Sequence, residues 1–287
     1  MSKSSETVLP YRLLDAGEEQ KLELVGPYKV IRQAAQAFWP KMGEPHPWRD
    51  AIDGIHIRTN KGGGYWDYKN KPPAEWTISW QNFLFRAKLT DFGHIGLFPE
   101  QGHTNLDWIT EQANDPEMEV INLFGYTGGS SLAAARGGAR VTHLDAAKGV
   151  VTWARENFEL NNLADHPTRW IVDDATKFLE REVRRGRRYH GFILDPPTYG
   201  RGAKNQIWRI EKDLIPLLEL IKQLADPLHF ILLSCHTPGY TEWCLRNILH
   251  QVFDLPLTQI EGGEMTVPME SSECVLPSGT YARWSKQ

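Results

Sequence analysis

Cysteines, unbroken apolar stretches and an excess of one charge are all scarce in this sequence. The 287 residues include only Cys235, Cys244 and Cys274, and none of them forms a C-x-x-C pair. This argues against a disulfide framework and a zinc site, so we expect no bound metal. The initial MSKSSETVLP lacks the apolar centre of a secretion signal, and no apolar run reaches membrane-spanning length. We therefore expect a cytoplasmic globular protein without a membrane partner.

The charge distribution excludes a domain that holds a polyanion through overall charge. The net charge is -4, with 32 Lys and Arg against 36 Asp and Glu. Residues 1–105 carry 13 basic and 12 acidic residues, and the remainder carries 19 and 24. A polyanionic partner would therefore have to meet a local basic patch. Nothing in the sequence indicates an oligomeric state.

Two regions differ in pattern. Residues 1–105 contain short aromatic-rich runs separated by Gly and Pro, and Gly62–Gly64 lies between two such runs as in a hairpin. This predicts a small β-rich domain. Residues 106–287 alternate strands with helices, which predicts an α/β domain with a mostly parallel sheet. We expect strands near 118–124, 140–145, 168–172, 190–195 and 228–234, and helices near 129–136, 147–161, 174–184, 206–225 and 240–250. Residues 252–260 and 278–284 are predicted to add an antiparallel pair at one edge.

The ends of the predicted strands carry the informative residues, because ligands of such sheets bind beyond the carboxyl ends of the strands. The first strand leads into a glycine turn, residues 125–129, with the sequence GYTGG. Asp145 ends the second strand, 20 residues after Gly125 (145 − 125). A carboxylate at this distance suits the two hydroxyls of a ribose, so turn and carboxylate together predict an adenosine cofactor.

The glycine pattern narrows the choice of cofactor. G-x-x-G-G is not the G-x-G-x-x-G that holds a pyrophosphate, which disfavours NAD and FAD, and no P-loop motif occurs. The third strand is followed by Asp174, which is placed to accept a hydrogen bond from an adenine amino group. Asp174 also suits a helix N-cap, and the two roles are compatible.

The fourth strand ends in Asp195-Pro196-Pro197-Thr198-Tyr199, the most specific pattern in the chain. Two prolines fix the backbone and remove two N–H donors, leaving carbonyls and a carboxylate. We call residues 195–197 the acceptor ledge, because this chemistry suits a planar base or amine. Tyr199 is a candidate to stack on that base.

Five motifs, in this order and spacing, resemble those of the class I S-adenosylmethionine-dependent methyltransferases. They are NLFGYTGG, THLDAAK, DDATKFL, FILDPPTYGRG and LLSCHTPG. Within this class the chain is similar to the bacterial large-subunit ribosomal RNA methyltransferases that make 5-methylcytosine. The resemblance covers about residues 95 to 285. It implies a Rossmann-like, seven-stranded methyltransferase sheet, S-adenosylmethionine as cofactor, and ribosomal RNA as substrate. D-P-P-T-Y also resembles a branch that methylates a guanine nitrogen, so both target atoms stay open.

The resemblance assigns roles to individual residues. It implies cofactor binding by Asp145 at the ribose, by Asp174 at the adenine and by Asp195 near the methyl group, with further contacts from Phe98, Glu100, Gln101, Phe124, Gly125, Tyr126, Thr127, Ala146 and Ala175. Catalysis is implied for Asp195, Pro196, Pro197 and Tyr199, and for Cys235 as a nucleophile in the carbon-methylating relatives. A buried Cys at a strand end is equally consistent with a small core residue. His236 is a weaker candidate for a base.

Two features depart from the family pattern, of which the first concerns the RNA substrate and the second the cofactor. Residues 1–105 do not match the usual RNA-binding module, and Asn122 stands where many members have an acid, leaving Glu100 as a candidate for the cofactor ammonium. Arg201, Lys204 and Arg209 follow the acceptor ledge and are candidates for phosphate contacts. The arginines of 181–188 are interpreted as a solvated charge run. A methyltransferase for a small molecule or protein, and a cofactor-binding protein without catalysis, remain alternatives.

Overall fold

The computed structural model describes residues 7–42, 47–49, 51–59, 63–201 and 207–286. The chain divides into two compact units, Met1–His103 with Thr266–Pro277, and Thr104–Met265 with Ser278–Gln287. The sequence-based limits, 1–105 and 106–287, placed the later segment in the second domain. Its membership of the first unit follows from backbone pairing, since the N–H groups of Glu270 and Ser271 donate to the carbonyls of Leu13 and Leu14.

The first unit is built from β-structure, as the sequence predicted. A five-stranded sheet has the order β1-β2-β3-β4-β5, and β6 pairs with β7 in a separate hairpin. The strands are β1 Tyr11–Gly17, β2 Gln20–Val25, β3 Tyr28–Gln33, β4 Gly54–Thr59, β5 Gly63–Tyr68, β6 Trp76–Trp80 and β7 Phe83–Ala87. β4 and β5 pair antiparallel, as the predicted hairpin requires, but Gly63 and Gly64 lie in β5, and Gly62 lies outside the described residues. A 3₁₀ turn spans Pro47–Arg49.

A fully buried carboxylate organises the five-stranded sheet. Glu23 on β2 receives two hydrogen bonds from the Arg32 guanidinium, both of 2.6 Å, and one of 2.7 Å from the Tyr11 hydroxyl. Lys21 Nζ lies 3.5 Å from the same carboxylate. Burial raises the pKa of Glu23, but Arg32 and Lys21 outweigh this effect and lower the pKa to about 2. The ionised carboxylate is therefore an integral part of the folded unit.

Strands and helices alternate over the remainder of the chain. The remaining strands are β8 Glu119–Leu123, β9 Arg140–Asp145, β10 Thr168–Val172, β11 Tyr189–Leu194, β12 Tyr199–Arg201, β13 Ile207–Arg209, β14 Ala225–Cys235, β15 Glu261–Pro268 and β16 Val275–Ser285. The helices are α1 Pro99–Gln101, α2 Asp107–Gln112, α3 Gly129–Gly137, α4 Lys148–Leu160, α5 Ala175–Arg184, α6 Ile210–Leu224 and α7 Glu242–Phe253. Of these elements, α1, the end of β15 (266–268) and the start of β16 (275–277) belong to the first unit, and the others lie mainly in the second. A π-helical turn spans Gly102–Leu106, and a 3₁₀ turn spans Leu257–Gln259.

The large sheet has the order β10-β9-β8-β11-β14-β16-β15. Pairing is parallel from β10 to β14, and β16 joins β14 antiparallel. The chain moves outward from β8 to β10 and then returns to the other side of β8 with β11. The strand order thus reverses between β8 and β11, where α/β sheets bind their ligands. This arrangement confirms the predicted seven-stranded, Rossmann-like class.

Burial explains why the strands were recognisable. Phe192 on β11 and Ile231 and Leu233 on β14 are at most 2% exposed and pack with Leu217 and Leu218 of α6. Strands covered on both faces carry continuous apolar runs. Among the described residues, no helix has the length and apolarity needed to span a membrane.

Two predicted elements were wrong. Residues 207–209 form β13, which pairs antiparallel with β12, so the predicted helix 206–225 begins at Ile210 instead. The predicted edge strand 252–260 is replaced by the end of α7 and a 3₁₀ turn, and the strand begins at Glu261. In the first case pairing with β12 overrides the helical pattern, and in the second α7 continues to Phe253 and is followed by a 3₁₀ turn.

Replacing Glu23 with Gln tests the buried charge cluster. Because the folded pKa lies below the ordinary 4.5, this carboxylate stabilises the fold above about pH 4.5 and loses that contribution as the pH falls toward 2. Breaking a buried pair leaves Arg32 uncompensated, so E23Q should lower the free energy of unfolding by about 3–5 kcal/mol at pH 7. Urea unfolding between pH 3 and 7 measures both effects. E117Q is the control, since Glu117 is 76% exposed in its pair with Arg140. Equal losses in the two variants would contradict the assignment.

Candidate active site

The glycine turn begins at the carboxyl end of β8 in an unusual backbone conformation. Phe124, Tyr126 and Gly128 have φ angles of 58°, 47° and 88°. Left-handed backbone is uncommon for residues other than glycine, and such strain concentrates at ligand sites. The turn is closed by hydrogen bonds from Gly125 N to Leu144 O and from Gly128 N to Gly125 O, both 2.9 Å. The surrounding strands therefore hold the strained turn in place.

The turn rests on a buried polar chain. Asn122 donates to Ser131 Oγ at 2.9 Å, and Ser131 Oγ lies 2.9 Å from His143 Nδ1. Burial lowers the pKa of His143 to about 3, so the ring is neutral at physiological pH. A Cβ on Gly125 would lie 2.5 Å from His143 Cε1, which requires glycine there. Asn122 is thus a buried structural residue of this chain, 3% exposed.

Asp145 ends β9 level with the start of the turn, because Leu123 of β8 pairs with Leu144. Its Oδ2 accepts from Tyr126 N at 3.1 Å, and its Oδ1 accepts from Ala147 N at 2.9 Å. Burial raises the pKa of Asp145, and backbone N–H bonds oppose that shift. Each oxygen keeps acceptor capacity beyond these bonds, which suits the two hydroxyls of a ribose. Ala146, the next residue, is exposed.

The end of β10 adds a second carboxylate and an apolar surface. Asp174 caps α5, accepting from Lys177 N at 3.0 Å, so its N-cap role is present. A carboxylate oxygen can accept more than one hydrogen bond, so the cap leaves capacity for an adenine amino group. Val172 is 48% exposed and pairs in register with Asp145. Ala175 begins α5 and is buried.

The predicted cofactor residues divide between the two units. The first unit contains Phe98, Glu100 and Gln101. The second unit contains the others, which are residues 124–127, Asp145, Ala146, Asp174 and Ala175. Glu100 is 5% exposed and interacts electrostatically with the buried Arg32 and Lys21. A role for these three residues at the cofactor stays a prediction.

The acceptor ledge follows β11, between β8 and β14. Leu194 pairs with Leu123 on one side and Leu233 on the other, so Asp195 begins level with Phe124. Pro196 is buried and Pro197 is exposed. His236 Nε2 lies 3.4 Å from Asp195 Oδ2. Tyr199, at the start of β12, is 48% exposed and thus accessible for stacking.

The ledge is held from two sides. Thr198 Oγ1 lies 2.8 Å from Thr237 Oγ1 after β14. On the other side, Trp208 Nε1 donates to the carbonyl of Pro197 at 2.7 Å, and its ring packs against Phe124 with centroids 5.0 Å apart. Trp208 was not predicted as a site residue, because residues 206–225 were predicted to form a helix. An indole soon after D-P-P was the available signal.

Cys235 ends β14 in surroundings that disfavour a thiolate. It is 1% exposed, and its sulfur accepts from Thr237 N at 3.4 Å. Burial raises the pKa of Cys235, and the negative charge of Asp195 adds to the rise. A reactive cysteine instead needs an accessible sulfur with a lowered pKa.

The candidate phosphate contacts are described only in part. Arg209 is exposed and precedes α6, with its backbone N bonded to Asp213 at 2.6 Å. Lys204 and the side chain of Arg201 lie outside the described residues. In the charge run, Arg181 pairs with Asp173, Arg185 with Glu182 and Arg188 with Asp226. These pairs agree with a charge-balanced surface.

No group of three or more metal-ligating side chains occurs in the described part of the chain.

The fold has known counterparts. The family model of the S-adenosylmethionine-dependent methyltransferases matches residues 58–237, and the chain belongs to this family. A SAM-dependent methyltransferase structure from Agrobacterium tumefaciens is 31% identical, with a TM-score of 0.86 over 99% of this chain and 95% of that one. A second structure, of SMU.776 in complex with S-adenosylhomocysteine, is 18% identical and has a TM-score of 0.72. The match covers 97% of this chain and 76% of that one. The latter similarity concerns the fold alone.

Sequence relatives carry more specific names. Ribosomal RNA large subunit methyltransferase K/L of Pseudoalteromonas translucida is 32% identical over 54% of this chain and 22% of its own length. The protein of the same name from Desulfotalea psychrophila is 28% identical over 68% of this chain and 26% of its own length. The chain thus spans about a quarter of these relatives.

S-adenosylmethionine is the cofactor of this enzyme, and the residues of the second unit fit it. The strained glycine turn offers close backbone approach, Asp145 offers two oxygens, and Asp174 with Val172 offers an acceptor beside an apolar surface. The cofactor supplies an electrophilic methyl group.

Replacing Asp145 with Ala should weaken cofactor binding, because two hydroxyl bonds to a charged group and the support of the turn are lost. We expect S-adenosylhomocysteine to bind about 1.5–3 kcal/mol more weakly. Isothermal titration measures this effect directly. D165A is the control, since Asp165 is an exposed residue preceding β10. If D145A binds as tightly as D165A, Asp145 does not hold the ribose.

Proposed function

We propose that this methyltransferase modifies a nucleobase nitrogen in ribosomal RNA. The observation that carries the proposal is the acceptor ledge, in which Asp195, Pro196 and Pro197 follow the central strand β11 at the point where the strand order reverses. An amino group presents N–H donors, and the ledge presents carbonyls and a carboxylate without proline N–H groups. The donor and acceptor patterns are complementary.

The state of Cys235 supports nitrogen over carbon as the target. A pyrimidine ring carbon needs covalent activation by a nucleophile before it can take a methyl group. Cys235 is 1% exposed and its pKa is raised by burial, so it has little thiolate to offer. A nitrogen has its own lone pair and requires only orientation and removal of a proton. The carbon-methylating alternative depends on the position of Cys235 alone.

The chain's own residues supply that orientation. In the proposed arrangement the Asp195 carboxylate and the Pro196 carbonyl accept the N–H bonds of the target, which aims the nitrogen lone pair. Asp195 then accepts the released proton, with His236 Nε2 at 3.4 Å as a neighbouring basic group. Positioning of this kind can contribute about 7–11 kcal/mol to rate acceleration. Tyr199, 48% exposed, would stack on the base.

RNA as the substrate is supported by the names of the sequence relatives and by exposed side chains near the ledge. Both named relatives are large-subunit ribosomal RNA methyltransferases, although the chain covers only about a quarter of each. Arg209 and Tyr199 are exposed, which suits phosphate and base contacts. We accordingly place the enzyme in the cytoplasm, where ribosomal RNA is found.

Tritium transfer from labelled S-adenosylmethionine tests the substrate class. The purified chain is incubated in parallel with ribosomal RNA lacking its modifications, total protein and a metabolite extract. We expect label in the RNA, recovered after digestion as an N-methylated nucleoside. Label in protein or metabolites alone would contradict the RNA assignment, and no transfer would favour a binding protein without catalysis. Heat-inactivated chain gives the background.

Two substitutions separate the nitrogen and carbon mechanisms. D195A should lower kcat at least 100-fold, because the proton acceptor and one orienting bond are lost. C235A should keep at least half of the wild-type kcat, since the thiol is a small core group in this account. The same tritium assay measures both variants, and thermal unfolding confirms that both fold. Isothermal titration of S-adenosylhomocysteine measures the cofactor binding of C235A. Loss of activity in C235A with intact cofactor binding would return the nucleophile role to Cys235.

A further inference from the structure

Trp208 contacts both the glycine turn and the acceptor ledge of the candidate active site. Its indole Nε1 donates to the carbonyl of Pro197 in the acceptor ledge at 2.7 Å. The same ring packs on Phe124, with centroids 5.0 Å apart and planes inclined by 56°. Phe124 is the strained residue at the start of the glycine turn, with a φ of 58°. One side chain therefore joins the turn of the cofactor side to the loop of the target side.

The hairpin of β12 and β13 holds this indole in position. Trp208 pairs in register with Gly200, and its neighbours Ile207 and Arg209 pair with Arg201 and Tyr199. The ring is half-buried and packs against the core that contains β11, β14 and α6. Side chains held on paired strands are placed more rigidly than those on loops. Trp208 is thus held by backbone pairing with β12 as well as by its ring contacts.

The contact with Pro197 also changes the chemistry of the ledge. The ledge residues Pro196 and Pro197 cannot donate N–H bonds, so their carbonyls are acceptors only. The indole N–H takes one of the two acceptor positions of the Pro197 carbonyl. Trp208 thereby fixes the orientation of this carbonyl and lowers its remaining acceptor capacity.

We propose that Trp208 is a positioning residue that sets the separation between the methyl donor and the target nitrogen. The ring packs on Phe124 and supports the glycine turn, which positions the cofactor. The indole N–H holds the Pro197 carbonyl and thereby the ledge, which positions the target. This inference rests on the proposed function for the target side, whereas the cofactor side depends only on the methyltransferase family.

The two contacts can be removed separately. W208F keeps an aromatic ring against Phe124 but has no N–H for Pro197, and W208A loses both contacts. For W208F we expect the Kd of S-adenosylhomocysteine to stay within about twofold, while kcat falls about three- to tenfold with a small change in KM. For W208A we expect a comparable or larger fall in kcat, and a Kd at least fivefold weaker. W243F is the matched control, because Trp243 is 52% exposed on α7 and stacks on Arg246.

Isothermal titration, initial-rate kinetics and thermal unfolding are measured on all four proteins. The kinetics use whichever fraction accepted tritium in the substrate assay. A residue with a structural role alone would lower Tm and affect both phenylalanine and alanine variants in proportion. W208F with wild-type kcat, or W208F and W208A with the same Kd, would overturn the proposal. If no fraction accepts label, the proposed function fails, and the comparison of the two Kd values still decides the cofactor-side role of Trp208.

Discussion

Parallel, in-register pairing of β8 with β9 and β11 is the constraint on which the site depends. Leu123 pairs with Leu144 on one side and with Leu194 on the other. The residues that follow these pairs, Phe124, Asp145 and Asp195, consequently start at one level of the same sheet edge. A slip of one residue would move each of these side chains to the opposite face of the sheet. The geometry of the candidate site is thus set by the alignment of three strands.

Asp145 stabilises the backbone on both sides of this sheet edge. Its carboxylate binds backbone N–H groups on both sides, from Tyr126 in the glycine turn and from Ala147 before α4. The turn also closes over His143, a neutral ring that leaves no space for a side chain at Gly125. Strain at Phe124 and Tyr126 is therefore held by hydrogen bonds and packing within the second unit. Preorganisation of this kind precedes binding and reduces its entropic cost.

The sequence predicted those parts of the fold and site that depend on local pattern. The five parallel strands were predicted from mainly apolar runs whose ends are marked by Gly125, Asp145, Asp173, Asp195 and Cys235. The residues at these ends were identified because topology assigns ligands to that edge. Trp208 and β13 were missed, since their structure depends on pairing with β12 across an intervening segment. The membership of Thr266–Pro277 in the first unit depends on contacts with β1, more than 250 residues earlier in the chain, and no local signal encodes it. The burial of Cys235 likewise follows from three-dimensional packing.

The proposed site combines a cofactor half, the glycine turn with Asp145 and Asp174, and a target half, the acceptor ledge. The central claim is that these two halves meet at the reversal of strand order, so that methyl donor and target nitrogen face each other there. A crystal structure of the protein with S-adenosylhomocysteine tests this claim most directly. The account predicts both ribose hydroxyls on the Asp145 carboxylate, the adenine beside Val172 and Asp174, and the sulfur directed toward Asp195 and Pro196. A ligand bound with its ribose away from Asp145, or with its sulfur remote from the ledge, would contradict it.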